Sequence, residues 1–174
     1  MGDERRGRAM LCPMRSNEVF AQMTPEQATA FLDELVQKAK PVAALALNAA
    51  AQAFKLRPTF IRKQPRARQA NWMRQALGRN VGAAMAEEVL AAYFLEHHKD
   101  MLIELLDALG IKHEEGQLAE DSPPVQPERA KLEQVVAGFR KGADPERREL
   151  LLRAFAAQSG IDWPELERVL GAAN

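Results

Sequence analysis

His97, Asp100 and Glu104 stand at i, i+3 and i+7. On one continuous helix these side chains would share a face, and an imidazole with two carboxylates is a donor set that a metal ion accepts. Metal ligands must also converge, usually from more than one helix, and the Glu-x-x-His spacing of di-iron bundles is absent. The plainer reading of the same three residues is a solvated helix face with i,i+3 pairing, and the metal site is the minority reading. His113, Glu114 and Glu115 add ligands only if their loop folds back. A small-molecule or metal site near His97 is therefore one functional reading among three.

Signatures of covalent chemistry are missing. Ser16, Ser122 and Ser159 are the only serines, and none sits in a Gly-x-Ser-x-Gly turn. The run Leu77 to Gly82 has too few glycines for a phosphate loop and follows no strand. Glu87 and Glu88 are adjacent, so they diverge on a helix instead of sharing a proton. Nothing in the chain calls for a cofactor, and the reading leans away from an enzyme.

The pattern that stands out is the sorting of charge. The 174 residues carry 24 basic and 24 acidic side chains, a formal net charge of zero. From Pro41 to Ala86 there is no aspartate or glutamate, while Lys55, Arg57, Arg62, Lys63, Arg66, Arg68, Arg74 and Arg79 all fall there. From Glu87 to Asp121 the sign reverses, and only Lys99 and Lys112 interrupt a run of acids.

At about 100° per residue, Arg68, Asn71, Arg74 and Gln75 fall on one side of a helix, opposite Ala70, Trp72, Met73, Ala76 and Leu77. Two readings compete. Either the basic helix packs beside the acidic one and their rims pair, or the basic 55–79 segment binds an anionic partner. Arg62, Lys63, Arg66, Arg68 and Arg74 would then contact phosphates of a nucleic acid. Trp72 and Trp163 are expected as packing anchors, and either becomes a partner contact if exposed.

The elements that must position these residues are helices. Apolar residues make up 47% of the chain, rich in Ala and Leu and poor in β-branched types, which favours helix. Thr24-Pro25-Glu26-Gln27 is a capping box with proline at the first helical position. Pro41 opens a second helix that Pro58 stops, and Pro65 opens a third, ending at Gly78. A helical pattern resumes near Val81 and runs to Leu109, with a left-handed cap at Gly110. Residues 97–100 either kink that run or lie on its solvent side. Residues 42–53 are almost wholly apolar, so their helix is central in the core or half of an interface.

The expected architecture is all-α, an irregular multi-helix bundle. It has a flexible N-terminal tail at 1–16, a main helical domain at 17–115 and a proline-rich linker at 116–127. A three-helix lobe at 128–174 is too small to favour independence and is expected to dock on the main domain. Cys12, the only cysteine, precludes an intramolecular disulfide and is read as a mobile surface thiol. No apolar run is long enough for a membrane span or a signal-peptide core, so the expected compartment is the cytoplasm. The leading functional expectation is a non-enzymatic interaction or scaffold protein that binds a protein partner or self-associates. Nucleic-acid binding comes second.

Overall fold

The computed structural model describes residues 13–172; Cys12 and the rest of the N-terminal segment before it lie outside. The described part is all-α apart from one two-stranded hairpin. In chain order it comprises α1 (Ser16–Ala21), α2 (Pro25–Lys38), α3 (Lys40–Phe54), α4 (Pro58–Arg62), α5 (Arg66–Leu77), α6 (Ala83–His97) and α7 (Lys99–Leu109). The hairpin of β1 (His113–Glu114) and β2 (Gln117–Leu118) follows, then α8 (Arg129–Arg140), α9 (Pro145–Ala156) and α10 (Pro164–Gly171). No helix among the described residues is long and apolar enough to cross a membrane.

Local chemistry sets most boundaries. The Thr24 hydroxyl accepts from the Gln27 backbone N–H and the Gln27 side chain accepts from the Thr24 N–H, so the expected capping box forms. Gly110 takes φ 71°, the left-handed cap that closes α7. Pro58 does not simply stop the chain after α3. It starts the single turn of α4, with Lys55 in the left-handed region capping α3 behind it.

The joint at 97–100 is a real break. His98 has φ −134° and ψ 37°, which ends α6 and lets α7 set off in a new direction. His97 and Asp100 therefore belong to different helices.

The end of the expected tail makes contacts with the rest of the chain where it is described. Met14 N–H donates to Glu167 Oε1 at 2.9 Å, and Ser16 and Asn17 are buried at the start of α1. The Ser16 hydroxyl donates to the Ala157 carbonyl, so this segment contacts the C-terminal helices.

α3 is central: Val42, Ala43, Ala46, Leu47, Ala50 and Ala51 are all buried. It packs on α2, α5 and α6, while α9 packs on α1 and α6, and α8 on α7. Buried residues of the main part (Phe20, Leu32, Ile61, Met73) and of the last three helices (Leu132, Leu152) form one continuous apolar cluster.

Candidate functional site

The first polar cluster lies where the start of α9 meets α2 and α6. Tyr93, on α6, donates from its hydroxyl to Glu34 Oε2 at 2.7 Å. Arg147, in the first turn of α9, donates to the same oxygen at 3.0 Å and to the Tyr93 hydroxyl at 3.0 Å. His98 Nε2 stands 2.7 Å from Glu34 Oε1. An ionised carboxylate only accepts, so that nitrogen carries the hydrogen.

Burial pushes the Glu34 carboxyl up, but the bonds from Tyr93, Arg147 and His98 outweigh it and hold it at about 2. Burial, and then the Glu34 bond, push the Tyr93 hydroxyl up, so it stays protonated. Burial lowers His98, and the Arg147 charge adds to this against the pull of Glu34.

A cleft of about 490 Å³ opens beside this cluster, lined by Gln22, Phe31, Glu34, Tyr93, Arg147 and Arg153 among others. A general base must titrate near the working pH and have a free lone pair aimed at substrate. Glu34 is too acidic and already accepts three hydrogen bonds, while His98 stands behind it and does not line the cleft. The cluster thus holds α2, α6 and α9 together and is poorly suited to moving protons.

The three residues singled out for metal binding do not come together. His97 is half-buried with Glu96 as its neighbour at 3.7 Å, and Asp100 is exposed at the start of α7. Glu104 is taken by Arg148, whose two terminal nitrogens donate to its two oxygens at 2.7 and 2.9 Å. Among the described residues no group of three His, Cys, Asp or Glu side chains is placed to hold a metal ion.

The basic stretch forms the second candidate. Its expected pairing with the acidic stretch does not occur among the described residues. α5 lies chiefly against α2 and α3, and the single ion pair of the basic stretch there is Arg66 with Asp33 of α2, at 2.9 Å. The acids turn elsewhere, Glu104 to Arg148, Glu115 to Lys99 and Asp107 to His113. The physical reason is packing: α6, which carries Glu87 and Glu88, lies chiefly against α1 and α3, and the break at His98 carries α7 onto α8 instead of along α5.

Of the five residues singled out for anion binding, Arg62, Lys63 and Arg68 are exposed. Arg66 is engaged by Asp33. Arg74 is half-buried, donating to the Met23 carbonyl and to Asn71, so it does not belong to the open face as expected. Arg57, also exposed, lies just before α4.

Two aromatic rings lie within this basic surface. Phe60, on α4, is 44% exposed, and its ring centroid is 6.0 Å from that of half-buried Trp72. The Arg68 guanidinium lies over Trp72, 4.9 Å from the ring centre. Trp163, by contrast, is a buried anchor packed edge-on against Phe155. The sequence placed Trp72 on the apolar side of α5 and gave no role to Phe60. The only cue to Phe60 was its position among cations in a stretch free of acids.

Gln69 is buried and organises the turn, donating to the carbonyls of Arg62 and Gln64 at 3.1 and 2.7 Å. It fixes the backbone between α4 and α5 and so the places from which Arg62, Lys63 and Arg68 project.

No protein-family model, curated protein or solved structure matches this chain.

Proposed function

We propose that the chain is a non-enzymatic helical binding protein of the cytoplasm whose α4–α5 face takes a polyanion, a nucleic acid in the first place. The observation that supports this reading is the lack of internal compensation: Arg57, Arg62, Lys63 and Arg68 are exposed around α4 and α5 and form no ion pair among the described residues, and Arg66 pairs only with Asp33. Such a face concentrates positive potential, and phosphate contacts made by it release counterions.

Titration of a labelled oligonucleotide between about 50 and about 200 mM salt tests it. Affinity is expected to fall steeply with salt, and R62Q/K63Q/R68Q is expected to flatten the log–log slope by about 2. A chain that shows no binding even at the low end of that range does not work this way.

A second reading, self-association as a scaffold, draws support from the other sign. Glu88, Asp100, Glu114, Glu120 and Asp121 are exposed and form no ion pair among the described residues. A second copy could offer its basic face to them. Sedimentation across the same salt range separates the two, since only self-association gives a mass that rises with protein concentration.

A further inference from the structure

We infer that the α4–α5 face binds single strands, with Phe60 and the Arg68-covered Trp72 as a stacking platform for unpaired bases. The inference rests on the polyanion reading and narrows it.

Duplex nucleic acid hides the faces of its bases and shows a protein its phosphates and groove edges. A surface built only for phosphates needs cations and gains nothing from an uncovered ring. Here an aromatic ring is left 44% exposed between Arg57 and Lys63, which flank it three residues away on either side. α4 already has its anchor in Ile61, which is fully buried, so the exposure of Phe60 is not needed to hold the turn.

The second ring continues the platform. Trp72 touches Phe60 with the planes tilted by 45°, and Arg68 covers it with a planar cation that can itself take a base. Gln64 accepts from Arg68 at 3.2 Å and so steadies that cation. Gln69, donating from the interior, holds the turn that carries Arg62 to Gln64. A platform fixed in advance loses little freedom on binding. Cations flanking adjacent π-faces are what sequence-tolerant single-strand binding uses.

The test compares three probes against the full chain at one salt concentration: a single-stranded oligonucleotide, the duplex of the same sequence, and polyglutamate, a polyanion without bases. The single strand is expected to bind most tightly. F60A is expected to weaken it about tenfold, the size of one lost base–aromatic stack, and to leave the duplex unchanged. F60L, which keeps apolar bulk at an exposed position, is expected to lose as much as F60A. Equal affinity for single strand and duplex overturns this inference while the nucleic-acid reading stands. Polyglutamate binding as tightly as the single strand makes the partner an acidic protein segment and overturns it too. Absence of binding to all three removes both the inference and the reading beneath it.

Discussion

Glu34 Oε2 accepts a 3.0 Å hydrogen bond from Arg147 Nη2, 113 residues further along the chain, and α2 is thereby tied to α9. The Glu34 side chain is only 14% exposed, so little solvent screens this pair. Its carboxyl is held at about 2 against an ordinary 4.5. A carboxyl depressed on folding contributes stability that is fully present above its unfolded value and is lost as pH falls toward the folded one. A contribution of roughly 2 kcal/mol at neutral pH is expected. E34Q keeps an oxygen for Tyr93 but removes the Glu34 charge, which leaves Arg147 paired with Asp144 alone. Urea midpoints of wild type and E34Q are expected to differ at neutral pH and to converge as pH drops from about 4.5 to about 2. A constant difference across that range would show that Glu34 contributes by shape and not by charge.

Arg148 makes a second prediction available. Besides Glu104, it donates to the carbonyls of Ala143 and Phe139, and it lies 4.5 Å over the Phe139 ring. Gly142 leaves it room: a β-carbon there would sit 2.2 Å from the guanidinium carbon. G142A is therefore expected to displace Arg148 and to lose roughly 2 kcal/mol of unfolding free energy. R148A loses a similar amount through its packing and its bonds, since half-exposed Glu104 is readily hydrated once released. The double variant decides the cause. If displacement is the mechanism, G142A adds little in the R148A background; full additivity would place the penalty in the backbone instead.

The basic face is expected to be nearly neutral for folding. Arg62, Lys63 and Arg68 are exposed and bond only to Asn48, to Gln64 and to the face of Trp72. R62Q/K63Q/R68Q is expected to keep its thermal midpoint, within about 0.5 kcal/mol in stability, while losing oligonucleotide affinity. A variant that melts several degrees lower would make these cations part of the scaffold.

The helical skeleton was legible because its signals are local. Thr24 with Gln27, Pro145 after Asp144, and Gly110 each act within one turn, and the structure uses each of them as a cap or start. The one-turn helix α4 escaped notice because a proline after a helical run reads as a stop, whereas α3 already closes at Lys55 and Pro58 takes the first position of a new turn. The Glu34–Tyr93–Arg147 cluster could not be read ahead. Its members sit on three helices, and nothing near any of them marks the others. The pairing of the acidic stretch failed for a related reason. Neighbourhood along the chain stood in for neighbourhood in space, and the turn at His98 separated the two. At the α4–α5 face the charges were legible from their spacing, but the fate of each arginine was not. Asp33 and the Met23 carbonyl, which engage Arg66 and Arg74, come from α2 and the turn before it.

The proline-rich segment between β2 and α8 ends bonded to the helices that follow it. The Trp163 indole donates to the Pro124 carbonyl, and the Glu165 N–H donates to the Gln126 side chain. Met14 and Ser16, from the other end of the described chain, bond to Glu167 and to the Ala157 carbonyl in the same part. The contacts of Met14 and Ser16 cross from the first part of the chain to the last three helices, as do the Glu34–Arg147 and Glu104–Arg148 pairs. A chain severed near Asp121 would leave two fragments still clasped, and the break would separate neither.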